Sequence, residues 1–221
     1  MPVYHKHKLI HIHIPKTAGT AIEEYFYGIG DMKWSPESWV GQEKKNGRWY
    51  EYQHLSVQEL QSLTNSTFEG YTSFAVARNP YSRMVSDYVW RQSIQKRYPD
   101  SPTQFFDSFD TFLRAIPKDI NTHWDDHIRG TDKKWANFLI HIRPQYQYIL
   151  GPGGNRLVDE ILKFEHLDTG MARLLNRYGL HTNPIRLPPT GDFKEHYTHA
   201  RLELINEIYA QDFEHYCYEM A

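Results

Sequence analysis

Two short stretches of this chain carry residues whose types and spacing suit anion binding. The first, Pro15-Lys16-Thr17-Ala18-Gly19-Thr20, gathers small residues, two hydroxyls and a lysine directly after an apolar run. On a strand-to-helix turn such a segment offers backbone N–H groups and the positive end of a helix dipole, a setting that favours a phosphate. It is not the nucleoside-triphosphate loop GxxxxGK[ST]. Lys16 precedes Gly19 instead of following it, and no Ser or Thr stands where Mg²⁺ would be ligated. The second stretch runs from Arg78 to Tyr88 (RNPYSRMVSDY) and places a guanidinium at the end of one apolar run. Ser86 follows two turns into the next segment, so both groups can reach one phosphate. The plainer alternative makes PKTAGT an ordinary turn with a solvated lysine and pairs Arg78 and Arg83 with carboxylates such as Asp87. Arg83 is read as structural.

The elements that position these stretches follow from the surrounding pattern. Lys8 to Ile14 (KLIHIHI) alternates and is β-branched, so the segment from Met1 to Ile14 reads as a strand; Thr17 to Tyr27 reads as a helix. Asp31 to Gly47 reads as an irregular excursion, Arg48 to Gln53 as a short strand, and Ser56 with Glu59 as a capping box opening a helix to Leu63. Ser73 to Ala77 (SFAVA) suits a buried central strand. Asn79 as N-cap and Pro80 at the first helical position then predict a helix from Pro80 to Arg97. Further on, a helix is expected near Phe105 to Ala115 and a polar loop from Lys118 to Trp135. A strand follows over Leu157 to Phe164, then a helix over Leu167 to Tyr178. Asn183 to Pro189 reads as a loop, and Leu202 to Tyr218 as a closing amphipathic helix. Strands alternating with helices predict an α/β fold with a P-loop-like central parallel sheet flanked by helices on both faces. In such a sheet, ligands sit at the carboxyl ends of the strands, where both anion stretches fall.

The 221 residues suffice for one core, so residues 1–221 are expected to form a single domain. Lys plus Arg number 25 against 27 Asp plus Glu, which gives no field for a nucleic-acid partner; any anion must be held locally. The one cysteine, Cys217, cannot form an internal disulfide. No apolar run is long enough to cross a bilayer, and the first residues lack the pattern of a signal peptide, so a cytoplasmic location is expected.

Together the two stretches resemble the cofactor-binding signatures of the PAPS-dependent sulfotransferases, which use 3'-phosphoadenosine 5'-phosphosulfate (PAPS) as donor. HIPKTAGT resembles their 5'-phosphosulfate loop and RNPYSRMVSDY their 3'-phosphate motif. The pattern RxPxxRxxSxY, met from Arg78 to Tyr88, is similar to that of the carbohydrate sulfotransferase group that includes heparan sulfate 2-O-sulfotransferase. Arg143-Pro144-Gln145, Phe164 to Leu167 and Ile208 to Phe213 are similar to that group as well. The resemblance implies that Lys16, Thr17, Ala18, Gly19 and Thr20 hold the 5'-phosphosulfate, and that Arg78 and Ser86 hold the 3'-phosphate. Lys194, in the GDFKEHY segment from Gly191 to Tyr197, is implied as a further contact. It also implies a hydroxyl-bearing acceptor, a glycan, with 3',5'-adenosine bisphosphate as the product. No metal is expected: a sulfuryl group carries less negative charge than a phosphoryl group, and the Lys16 ammonium can stabilise the leaving oxygen instead.

Removing the acceptor's proton needs a base, and histidine titrates nearest to working pH. Of 13 histidines, His54 stands out because it ends the strand Arg48 to Gln53 on the same carboxyl edge. The family's catalytic histidine occupies a matching place, although its His-Gly-His pattern is here Tyr52-Gln53-His54. Glu23 and Glu24, on the helix after the first loop, are the rival bases. His5, His7, His11 and His13 share alternate strand positions, but one strand supplies no convergent third ligand, so a half-exposed polar face explains them. His123 and His127 stand four apart in what reads as a loop. Acceptor contacts are expected from Trp34, Trp39 and Trp49, from the Lys118 to Trp135 segment, and from Gln145. A nucleotide kinase and a non-catalytic nucleotide-binding protein are the alternatives; the first needs Mg²⁺ and a correctly ordered lysine, the second has no use for a base.

Overall fold

A computed structural model of the chain describes residues 2–32, 41–64, 69–180, 185, 187 and 192–221. In chain order the elements are β1 (Val3–Tyr4), β2 (Leu9–Ile12), α1 (Gly19–Gly28), β3 (Gln42–Lys45), β4 (Arg48–Glu51), α2 (Val57–Thr64), β5 (Thr72–Ala77) and α3 (Pro80–Arg97). After these come α4 (Phe109–Arg114), α5 (Ile120–Ile128), α6 (Lys133–Ile142), α7 (Tyr146–Ile149), β6 (Glu160–Lys163), α8 (Leu167–Asn176), α9 (His199–Ile208) and α10 (Ala210–His215). The fold is α/β, with a mostly parallel sheet flanked by helices. The chain divides into two compact units, each assembled from three segments: Met1–Gln42, Glu51–Arg78 and Gln147–Pro188 in one, and Glu43–Tyr50, Asn79–Tyr146 and Pro189–Ala221 in the other. Among the described residues, no helix is long and apolar enough to cross a membrane.

The first unit holds the four-stranded sheet, in the order β1-β2-β5-β6. β2, β5 and β6 run parallel, with Ile12 opposite Ala75 and Ala77 opposite Lys163, so their carboxyl ends share one edge. β1 adds an antiparallel edge. The expected single strand from Met1 to Ile14 is therefore a short hairpin, turned at Lys8, whose φ is 51°. One sheet face carries Leu9, Phe74, Val76 and Leu162. It packs against Ile22 and Phe26 of α1 and against Leu167, Met171, Leu174 and Leu175 of α8. These side chains recur at three- and four-residue spacing on their helices, the pattern that buries one helical stripe.

The second unit is built around α3. Asn79 caps it by accepting from the Tyr81 N–H (3.0 Å), and Pro80 occupies the first turn, as the sequence predicts. Arg83, Asp87 and Arg91, four residues apart, form a buried polar stripe along α3. Arg83 donates to the carbonyls of His141 (2.7 Å) and Arg143 (2.8 Å) at the end of α6. Asp87 accepts from Arg91 Nε (2.7 Å) and pairs with His141 Nδ1 (2.7 Å). The Lys118 to Trp135 segment, expected as a loop, holds all of α5 and the start of α6. Ile120, Trp124 and Ile128 stand four apart and are buried, which makes α5 amphipathic; Asp132 caps α6 through the Trp135 N–H. His123 and His127 thus lie on a helix, kinked at His123, and both face Asp119. The expected closing helix from Leu202 to Tyr218 is two helices broken at Tyr209, whose hydroxyl donates to the Ile142 carbonyl (2.7 Å).

Candidate active site

β2 ends at Ile12, and the next six residues form the anion stretch and its supports. Lys16 (φ 69°) and Ala18 (φ 74°) both adopt the left-handed conformation, which costs a non-glycine residue of order 1 kcal/mol or more. Such alternation turns successive N–H groups toward one side, the geometry of an anion nest. α1 starts at Gly19 without a side-chain cap from Ala18, so its first-turn N–H groups and dipole add to the same locus. Thr17, fully buried, closes the turn by donating to the Ile14 carbonyl (2.8 Å), so its hydroxyl shapes the loop. Thr20 is exposed on the first turn of α1.

Arg78 follows β5 at the same sheet edge. It is buried, lies 4.0 Å from the centre of the Phe164 ring, and donates from Nη1 to the Lys16 carbonyl (3.0 Å). A guanidinium thereby braces the loop and brings positive charge to it. Lys16, Thr17, Ala18, Gly19, Thr20 and Arg78 therefore stand together. Ser86, half-buried on α3, and Lys194, exposed in the turn Phe193–His196, belong to the second unit.

His54 joins the loop from the other side. The strand predicted to reach Gln53 stops at Glu51, and one 3-10 turn, Tyr52–His54, carries the histidine. Its Nδ1 lies 2.8 Å from the His13 carbonyl. A carbonyl only accepts, so Nδ1 carries the proton, and Nε2 is the basic nitrogen of the neutral ring. Burial pushes the His54 pKa well below its ordinary 6.5, with His13 adding to the fall; the bond to the His13 carbonyl and the charge of Glu23 oppose it. The ring is consequently neutral at pH 7.

His13 is the member of this cluster that alternation concealed. The stretch expected as a half-exposed polar face is buried at His11 and His13. His13 Nδ1 lies 2.5 Å from Glu23 Oε1, and Glu23 Oε2 accepts from Gln53 Nε2 (2.7 Å). The His13 and His54 rings meet edge to face at 4.4 Å, while the His11 ring lies parallel to that of His13 at 5.3 Å. Gly19 is required by this packing: a Cβ there would fall 1.9 Å from His13 Nε2. Glu23 is buried and Glu24 exposed, so of the two rival bases only Glu23 enters this cluster. Burial raises the Glu23 pKa above its ordinary 4.5. The one signal for His13 in the sequence was its place two residues before Pro15, where the anion stretch begins.

The profile of the sulfotransferase family matches residues 1–219, nearly the whole chain and both units. This chain belongs to the sulfotransferase family. No curated protein sequence matches it. Membership makes sulfuryl transfer to a hydroxyl-bearing acceptor the general chemistry, with PAPS as the family's donor. One of the residues expected to touch the sulfotransferase's acceptor stands otherwise. Gln145 is fully buried and bonded to Asp212, its N–H donating to Oδ2 at 2.9 Å, so it is a framework residue. Trp49 is half-buried, with the Lys44 and Lys133 ammonium groups 5.8 and 5.9 Å from its ring centre. Trp34 and Trp39 lie outside the described residues.

Proposed function

We propose that this sulfotransferase moves the sulfuryl group of PAPS to a hydroxyl of a carbohydrate acceptor by in-line displacement, working as one domain over residues 1–221. PAPS supplies an activated sulfuryl group on a phosphate leaving group. The residues present suit such a donor: a nest at Lys16 to Ala18, an uncapped helix start at Gly19 and Thr20, and the Arg78 guanidinium braced against the loop. Lys16 stabilises the negative charge that grows on the leaving oxygen, so the reaction needs no divalent ion. By resemblance to the family's 3'-phosphate motif and late loop, Arg78, Ser86 and Lys194 are the residues assigned to the 3'-phosphate. His54 Nε2 removes the acceptor's proton as the new S–O bond forms. The carbohydrate is the acceptor class of the similar sulfotransferase group.

The observation that carries this reading is the bond from His54 Nδ1 to the His13 carbonyl, two residues before Pro15, which holds a neutral imidazole of fixed tautomer beside the anion loop. His54→Ala is expected to lower turnover about 10²–10⁴-fold while the affinity for 3',5'-adenosine bisphosphate stays unchanged. Lys16→Ala is expected to weaken both. The test pairs calorimetry, with the bisphosphate against ATP and Mg²⁺, with transfer of labelled sulfate from PAPS to a panel of glycans. Tighter binding of Mg²⁺-ATP than of the bisphosphate, or unchanged turnover in His54→Ala, would overturn the reading.

A further inference from the structure

Glu23 takes no part in the mechanism above, yet its surroundings are those of a working group. It is fully buried on α1, and each carboxylate oxygen is committed. Oε1 meets His13 Nδ1 at 2.5 Å, and Oε2 accepts from Gln53 Nε2 at 2.7 Å. These are the two supports of His54. The His13 carbonyl accepts a hydrogen bond from His54 Nδ1 at 2.8 Å, and Gln53 is the residue before His54 in the chain. One carboxylate thus ties the end of β2, the start of the anion loop and the turn bearing the histidine into a single body. The His13 ring fills the space above Gly19, which fixes its height over the first turn of α1.

We propose that Glu23 is a positioning residue, whose carboxylate holds the His54 imidazole at a fixed place and plane relative to the anion loop, and that it is not the proton acceptor. This rests on His54 being the base. A base must reach the hydroxyl it deprotonates, and Glu23 exposes 0% of its surface where His54 exposes 8%. The charged or titratable groups around Glu23 include His13, His54, His11, Tyr4 and the amino terminus; Gln53 is its neutral partner. A misplacement of about 1 Å at a reacting group costs on the order of 10²-fold in rate, so a tie of this kind governs turnover with no contact to substrate.

Turnover with PAPS and a glycan acceptor, bisphosphate affinity and thermal midpoint test this in Glu23→Gln, Glu23→Ala, Gln53→Ala and His54→Ala. The Gln side chain keeps an oxygen for Gln53 and offers an N–H to His13, so Glu23→Gln is expected to retain kcat within about tenfold. Glu23→Ala loses both ties and is expected to lose about 10²-fold in kcat, with acceptor KM and bisphosphate affinity unchanged. Gln53→Ala, which cuts one tie from a half-buried site, is expected to lie between them and keeps the test open should Glu23→Ala fail to fold. A merely structural role would lower the thermal midpoint without splitting kcat from KM. Full turnover in Gln53→Ala together with either Glu23 variant, while His54→Ala is inactive, overturns the positioning role alone. Turnover surviving in His54→Ala but lost in Glu23→Gln makes Glu23 the base and overturns the assignment of His54 as well.

Discussion

Each of the two units buries a cluster of charged and imidazole side chains, and the two clusters are balanced in opposite ways. In the second unit Asp87 divides its oxygens between Arg91 and His141, each at 2.7 Å, while Arg83 and Arg91 spread further protons over the carbonyls of His141, Arg143 and Gln104. Both Asp87 oxygens are matched, although Arg91 Nη2 is buried with no hydrogen-bond partner among the described residues. In the first unit three buried imidazoles, His11, His13 and His54, share a single carboxylate, Glu23. Neither ring nitrogen of His11 has a hydrogen-bond partner among the described residues, and burial holds His11 and His54 neutral. The contrast separates architecture from chemistry. A network that pairs carboxylate with guanidinium and imidazole holds a structure, whereas buried groups whose protonation is displaced mark a place where chemistry is expected.

The comparison can be broken from either side. The largest stability effect is expected from Asp87→Ala, which leaves the fully buried Arg91 without its carboxylate; chemical denaturation should show a loss of about 3–5 kcal/mol. A loss as small as that of a surface variant would mean the second cluster is not the framework described. Gly19→Ala should cost less stability, about 1–3 kcal/mol by overpacking, yet reduce turnover well beyond what that loss explains, because the added methyl displaces the His13 ring. Unchanged turnover there would detach His13 from the site. The smallest effect is one of pH. His11 and His54 stay neutral when folded but take protons near 6.5 once unfolded, so the folded chain is favoured above pH 6.5 and loses that advantage as pH falls below it. Glu23 acts with the opposite sign from 4.5 upward, since its folded carboxyl is held above that value. Thermal melts from pH 7 to 5 should therefore show a falling midpoint. In His11→Phe that fall should be shallower, and an identical slope would remove His11 from the account.

What could be read from the sequence was local, and what could not was set by distant contacts. The bounds of α3 follow from Asn79 and Pro80, because an N-cap and a first-turn proline act on their own neighbours. The anion loop was legible for the same reason, down to the departure of Lys16 from the nucleoside-triphosphate pattern. His54 was singled out as the end of a strand on the carboxyl edge of the parallel sheet. β4 instead pairs with β3 in a sheet of its own, and the histidine follows on a 3-10 turn. The burial of His11 and His13 was missed, because alternation predicts two faces and does not say which one a helix will cover. Gln145 looked like a surface contact until Asp212, 67 positions away, took its N–H. The segment around α5 read as a loop because its polar residues outnumber its apolar ones. Ile120, Trp124 and Ile128, four apart, were the helical signal within it.

The division of each unit among three chain segments has a consequence for synthesis and refolding. β6 closes the sheet beside β5 only after the intervening helices have been made, and its approach is tied by Asp159, which accepts from the Ser73 N–H (2.7 Å) across 86 positions. Until Lys163 leaves the ribosome, β5 has an open flank, a template for pairing with another nascent chain. Contacts of such long sequence separation slow folding, so the order in which segments emerge, as much as their final packing, decides how much of this protein reaches its native state.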